Sequence, residues 1–421
     1  MTNHLKFCHP ERSEGSLFKR LNYYEENRFR SLIFRGEFIE NFKNEFLRLI
    51  NRLLFNFYYR LFWFLARWYP PKPAELHPRN FRNILVFSAA GIGDTLTDSV
   101  AVRALKESFP QAQLTVVTHR RRASLVQHNP FADKVVLYHK SLLRFLTLTL
   151  ELRKKQPDVI VMLRGNDPDL WPLAYLVNRH AVISCPIMTR FKFLISHPVE
   201  IPHWDRTHGV EQTLAIARHI GATIQDRRLI YRVMQDEKER LQAKLVRWGI
   251  HNNPRVIFQV GGGRRSVWRD WPISHFAELG KRLLEEYVVH LILLGGRDLR
   301  PKATVLSSAL LPARTINVAG KLSLTESAAL LSLSQVLVST DTGIMHLGFA
   351  VGIDTLALIH CNNPAARVGP YGYGDQHLIA QLEPPSGISP SKETDMSLLT
   401  PEKVWPQLHA LCERHRFPRK N

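Results

Sequence analysis

The 421-residue chain is short of cysteine: Cys8, Cys185, Cys361 and Cys412 stand far apart. None sits in a C-x-x-C spacing or beside a pair of histidines, so neither a disulfide framework nor a zinc site organises the fold. The chain also lacks an uninterrupted apolar run. Residues 46–69 are long enough to span a bilayer but carry Arg48, Arg52, Arg60 and Arg67 inside them, which argues against a span. Residues 1–31 do not show the short basic, apolar and small-residue sequence of a secretory signal, and retention in the cytoplasm is the expectation. Walker-type phosphate loops and short-period repeats are missing too. Acidic residues are scarce: 37 Asp+Glu against 57 Lys+Arg give a formal net charge of +20. That balance predicts an anionic partner or surface without choosing among nucleic acid, lipid headgroups and a phosphorylated small molecule. Nucleic acid ranks last, because no nucleic-acid motif is present and the positive residues are spread along the chain.

What remains is ordinary soluble composition, 45% apolar and 22% charged, in a chain longer than one core usually organises. Three segments are expected: an extension over residues 1–80, one globular domain over 81–250 and a second over 251–421. The first twenty or so residues show no periodicity and read as disordered or upstream of the true start. At about 100° per residue, the four arginines of 46–69 and Asn56 share an arc of roughly 120°, leaving Leu, Phe, Tyr and Trp on the rest of the helix. Two readings of that wide apolar face stand equal: packing on the protein's own core, or lying in a membrane interface. Pro70-Pro71-Lys72-Pro73 then predicts a stiff linker.

From Arg82 strand and helix patterns alternate, the signature of parallel sheets with crossover helices. Strands are expected at 83–87, 114–118, 134–138 and 158–163, and again at 255–260, 288–294, 335–339 and 355–359. The series breaks near a charged helix over 236–248 and the turn Asn252-Asn253-Pro254. Two Rossmann-like halves facing a cleft follow, and ligands in such sheets sit beyond the carboxyl ends of the strands.

Four loops occupy that position. In the first, Gly91 and Gly93 let backbone approach a ligand and Asp94 falls at a helix start, where the dipole stabilises a carboxylate. Simple helix capping is the competing role for Asp94. Leu96 stands where a dinucleotide fingerprint needs its third glycine. The second loop, Gly261-Gly262-Gly263-Arg264-Arg265-Ser266 with Arg269, combines backbone donors with guanidinium groups suited to a diphosphate. The third, Gly295-Gly296-Arg297-Asp298, is by itself a structural turn that could touch a base or ribose. The fourth, Asp341-Thr342-Gly343 with His346 one turn later, offers amide donors at a helix start and a carboxylate for sugar hydroxyls. Ser323 and Glu326 form an S-x-x-E capping box, a structural role.

The stretches ILVFSAAGIGDTLTDSVAVRALKESFPQAQLTVVT, GGGRRSVWRDWPISHFAELGKRL and INVAGKLSLTESAALLSLSQVLVSTDTGIMHLGFAVG, in that order, resemble glycosyltransferase family 9, the ADP-heptose:lipopolysaccharide heptosyltransferases. The resemblance covers most of residues 83–376. It implies a GT-B fold with an N-terminal acceptor domain and a C-terminal nucleotide-sugar domain, and an inverting transfer that uses neither metal nor cofactor. By the same resemblance Asp94 is the general base and Arg269, Asp341, Thr342, Gly343 and His346 belong to the donor site; the loop readings add Gly261, Gly262, Ser266 and Gly295 to that site and place Gly91 and Gly93 on the acceptor side. Arg269 stands where the family has lysine, which turns a point charge into a fork. The family commonly has Arg at the position of Ser88, Pro at those of Val100 and Asp354, and Gly at that of His360. The implied donor is ADP-heptose, and the implied acceptor an anionic glycolipid of the lipopolysaccharide core at the inner face of the inner membrane. The alternatives are another nucleotide sugar and glycan, or a non-catalytic nucleotide-binding protein of the same fold.

Overall fold

The computed structural model describes residues 42–165, 167–250, 253–263 and 267–420, with side chains from Arg52 onward. Ser266, Arg264, Arg265, Asn252, the side chain of Arg48 and the first twenty residues lie outside the described residues.

Two six-stranded sheets, parallel throughout, form two lobes. The first lobe contains β1 (Asn83–Ala89), β2 (Gln113–His119), β3 (Lys134–Tyr138), β4 (Val159–Gly165), β5 (Val182–Ser184) and β6 (His197–Pro198), in the order β3-β2-β1-β4-β5-β6. The second contains β7 (Arg255–Gln259), β8 (His290–Leu294), β9 (Thr315–Asn317), β10 (Val336–Thr340), β11 (Asp354–Ile359) and β12 (Leu378–Gln381), in the order β12-β11-β10-β7-β8-β9. Read from β9, this is the first lobe's order again, so the chain winds the same doubly wound sheet twice. The central strands are near-continuous apolar runs because helices cover both faces; Ile84, Val86, Val159 and Val161 are almost fully buried, as are Ile257 and Leu337.

All eight strands expected from the sequence form, with ends shifted by one or two residues. β5, β6, β9 and β12 were not expected; each has four residues or fewer, too short to show a period of two. The charged helix runs Gln235–Arg247, and Ser323 and Glu326 make the capping box in both directions.

The order reverses between β1 and β4 in one sheet and between β7 and β10 in the other. Those two switch points are where an open α/β sheet parts its helices and leaves room for a ligand. Asp94, at the start of the helix after β1, and Arg164, near the end of β4, flank the first; the loops bearing Gly261 and Asp341 flank the second. A register shift sharpens the first. Phe87 pairs with Met162 but Ser88 with Arg164, so Leu163 is the extra residue and Arg164 is turned to the side of Ser88.

The Phe42–Trp68 helix packs on the first lobe. Phe55, Phe62 and Ala66 enter a cluster with Phe191, Tyr175 and Leu170, and the Tyr175 hydroxyl donates to the Tyr69 carbonyl at 2.6 Å. Of the two readings of its apolar face, packing is thus correct for one side of the helix; the other side is exposed.

Candidate active site

Asp94 is the third residue of the Ile92–Ser108 helix, whose N-cap is Gly91. Its carboxylate is paired with Arg164, the charged residue near the end of β4. Both terminal nitrogens of that guanidinium are hydrogen-bonded, and its Nε faces a second carboxylate. Nη1 donates to Asp94, Nη2 donates to the Gly209 carbonyl at 2.9 Å and to Gln212 Oε1 at 3.3 Å, and Nε lies 3.5 Å from Asp98 Oδ1. Such a clamp fixes Asp94 in one orientation at the mouth of the cleft, where its side chain is 41% exposed. Desolvation pulls its pKa up, but Arg164, His346 and the Gly91 amide pull harder the other way and leave it below the ordinary carboxylate value.

Asp98, one turn on, is the opposite case. Its side chain is fully buried, it accepts from Ser88 Oγ at 2.7 Å, and burial pushes it up to about 7 in spite of Arg164. Two carboxylates on one helix face, sharing one arginine, are thereby held in different protonation regimes. Neither Asp98 nor Arg164 was singled out from the sequence. The signal was there in β4, whose apolar run ends in an arginine at the carboxyl edge where ligands sit.

Across the cleft, Asp341 follows β10 and is buried. It accepts from Arg269 and, at 2.5 Å, from Asn363 Nδ2, and its other oxygen lies 3.9 Å from His346 Nε2. Asn363, in the loop after β11, is a further member that the sequence did not reveal. Arg269 stacks on Trp268 at 5.2 Å, and among the described residues its buried Nε has no hydrogen-bond partner. Desolvation holds His346 below its ordinary value against the pull of Asp341 and Asp94.

The two sets meet. A Cβ added to Gly93 would stand 2.5 Å from His346 Cδ2, and one added to Gly343 would stand 2.7 Å from the Cβ of Ile92. The tips of the Ile92–Ser108 and Gly343–Val351 helices therefore touch across the seam, each through a glycine, with Asp94 beside one tip and Asp341 and His346 beside the other. The glycines do their work here by close approach between the lobes. A second seam closes further out: His208 Nε2 donates to the Gly369 carbonyl at 3.1 Å and stacks on Tyr371 at 4.4 Å, whose hydroxyl donates to Glu211 at 3.0 Å.

The glycine loop differs from the expected phosphate cradle in one respect. Gly261 has φ +144°, a conformation for which glycine is suited, but the Gly262 amide donates to Asp270 Oδ1 at 2.6 Å, and Lys302 pairs with the same carboxylate. Gly262 is thus engaged within the protein. Gly295 is a packing position: an added Cβ would meet Leu299 at 2.9 Å, and its carbonyl accepts from Gly320 at 2.8 Å. Thr342 is the N-cap of the Gly343–Val351 helix, which leaves the first amides of that helix directed at the cleft.

A family model described as glycosyltransferase family 9 (heptosyltransferase) matches residues 150–394. Similar curated proteins include a lipopolysaccharide core heptosyltransferase of Haemophilus influenzae, 19% identical over 305 residues that make up 69% of this chain and 82% of that protein. Lipopolysaccharide heptosyltransferase 1 of Pseudomonas aeruginosa is 24% identical over 315 residues, 70% of this chain and 83% of the relative. Among solved structures, a family 9 glycosyltransferase from Veillonella parvula superposes with a TM-score of 0.69 at 17% identity, over 81% of this chain and 100% of that one. The ADP-heptose LPS heptosyltransferase II of Escherichia coli gives 0.67 at 20% identity, over 79% and 99%. These likenesses show a shared two-lobed α/β fold.

Proposed function

Because the chain belongs to glycosyltransferase family 9, the heptosyltransferase family, we propose that it transfers a heptose from ADP-heptose to an anionic lipopolysaccharide-core acceptor, with inversion and without a metal. The observation that carries this reading is the meeting of the Gly93 and His346 tips, which brings one ionised carboxylate, Asp94, up against the loop of Asp341, Thr342 and Gly343.

In this mechanism the acceptor hydroxyl gives its proton to Asp94 as its oxygen bonds to the anomeric carbon, and the bond from that carbon to the diphosphate breaks. The electron pair leaves with ADP. The Arg269 cation and the first amides of the Gly343–Val351 helix stabilise the charge that gathers on the departing phosphate. Arg164 keeps Asp94 ionised and aimed. Attack from the Asp94 side, opposite the leaving group, inverts the anomeric centre. Asp341, held by Arg269 and Asn363, meets sugar hydroxyls of the donor.

The basic balance fits a phosphorylated lipid-borne acceptor, and the Phe42–Trp68 helix would hold the enzyme at the inner face of the membrane. Among the described residues no helix is long and apolar enough to cross a membrane. The test is release of ADP from ADP-heptose and other nucleotide sugars, with and without a lipopolysaccharide-core acceptor. Acceptor-dependent release from ADP-heptose is expected. Release from another donor would change the sugar. Thermal stabilisation by a nucleotide sugar with no release under any acceptor would replace the transferase by a binding protein.

A further inference from the structure

The Phe42–Trp68 helix carries two apolar stripes. Phe55, Phe62 and Ala66 turn inward, whereas Leu53, Phe57, Leu61, Phe64 and Trp68, at steps of four, four, three and four, are between 43% and 69% exposed. At about 100° per residue these five share an arc of roughly 80°, with Arg52, Arg60 and Arg67 along one flank. The Leu142–Lys154 helix repeats the arrangement. Phe145, Leu148 and Leu152 face the core, and Leu142, Leu143, Leu146 and Leu150 stand outward, between 51% and 72% exposed.

Both helices cover the same face of the first sheet. Phe62 meets Tyr175 of the buried Leu170–Asn178 helix edge-on at 6.4 Å, and the Leu142–Lys154 helix packs against that same helix within one core cluster. The two outward stripes therefore lie on one side of the lobe. Single exposed leucines are ordinary on a soluble surface; two exposed apolar stripes on one side of a lobe are a docking face.

Charge identifies the occupant. Residues 52–69 contain no Asp or Glu. The second helix carries Arg144, Arg153 and Lys154 against one acid, Glu151, which Arg144 pairs at 3.1 Å. A second copy docked through this face would bring like rims together, while an anionic bilayer neutralises them. Trp63, Trp68 and Tyr69, all exposed, are the residue types that settle at the headgroup level.

We infer that the Leu142–Lys154 helix is a second membrane-docking element, which together with the outer stripe of the Phe42–Trp68 helix lays the first lobe on an anionic bilayer. It begins just after β3 ends, at the carboxyl edge of the sheet, so the docked enzyme holds its cleft mouth at headgroup level. The inference deepens the functional reading and rests on its lipid-borne acceptor.

The test floats the full chain with vesicles of phosphatidylethanolamine and phosphatidylglycerol, with phosphatidylcholine vesicles as the uncharged comparison. L143Q/L146Q and F57Q/F64Q change exposed side chains only, and an unaltered melting temperature verifies the fold of each. Each pair is expected to lower partition onto anionic vesicles by roughly 10-fold or more, with turnover on a delipidated acceptor unchanged. Loss with F57Q/F64Q but not with L143Q/L146Q overturns the second element and leaves the first-helix reading standing. A wild-type chain that binds no vesicle overturns both, without touching the transfer chemistry. A dimer that L143Q/L146Q converts to monomer, with no vesicle binding, would give the face to a second copy.

Discussion

Arg164 stands between Asp94 and Asp98, donating to the first through Nη1 and facing the second through Nε at 3.5 Å. A register shift in β4 sets this up, and the outcome is one carboxylate held ionised below its ordinary range and another pushed up to about 7.

Asp94→Ala should cut turnover by roughly 10²-fold or more and leave donor binding nearly unchanged, as read by donor-induced thermal shift beside steady-state kinetics. Near-wild-type turnover would reduce Asp94 to a helix-terminus residue.

Arg164→Met should move the acid limb of kcat/KM upward. With Arg164 present, Asp94 is held below the ordinary carboxylate value; without it, desolvation is opposed only by His346 and the Gly91 amide, and protonation disables the proposed base at higher pH. An acid limb that does not move would disconnect Arg164 from the base. The same change strips the facing charge from buried Asp98, and a loss of about 3 kcal/mol in chemical denaturation is expected.

Asp98 gives stability a pH dependence of definite sign. Its folded value lies above its unfolded value, so the folded state holds the proton more tightly; that contribution is complete below the ordinary carboxylate range and is lost as pH rises through about 7. Denaturation at pH 5 and pH 8 should show the wild type losing roughly 2–4 kcal/mol between them from this group. Asp98→Asn should flatten the difference. Asp94, depressed, acts in the reverse sense, and its contribution disappears only as pH falls below the ordinary range.

Gly93→Ala should cost about 10-fold or more in kcat/KM with little change in melting temperature, because the new methyl meets His346 only where the lobes touch. Small-angle scattering should show a more open particle, and Gly93→Ala combined with His346→Ala should restore the compact form without restoring turnover.

Arg269→Ala should raise the donor KM by roughly 10-fold or more, with Arg269→Lys falling between, since lysine keeps the charge but not the fork. Asp341 would be left buried with Asn363 and the more distant His346, and a lower melting temperature should accompany the kinetic loss. An unchanged donor KM would move the phosphate contact elsewhere.

The sequence carried both sheets through their central strands, because β1, β4, β7 and β10 are buried on both faces and read as apolar runs closed by glycine or a helix start. Edge strands such as His197–Pro198 pair over too few residues to leave a pattern. Asp94, Asp341 and His346 were legible because each sits at a strand-to-helix junction. Arg164 and Asn363 were not: each is defined by a partner on another strand's loop, 70 and 22 residues away along the chain, a relationship that only the folded order of strands creates. Asp98 was hidden by the helix around it, although a charged residue on the wholly buried stretch from Thr95 to Leu105 is itself a signal.

The Phe42–Trp68 helix is wedged onto the first lobe through Phe55, which lies edge-on to Phe191 at 6.1 Å while Arg190 caps both Phe55 and Tyr59 at 5.3 and 5.1 Å. A shortened chain starting near residue 80 would strip Phe191, Tyr175 and their neighbours of their cover and expose raw interior to water. Cover for the first lobe's interior and the proposed membrane contact thus draw on opposite sides of one twenty-seven-residue helix.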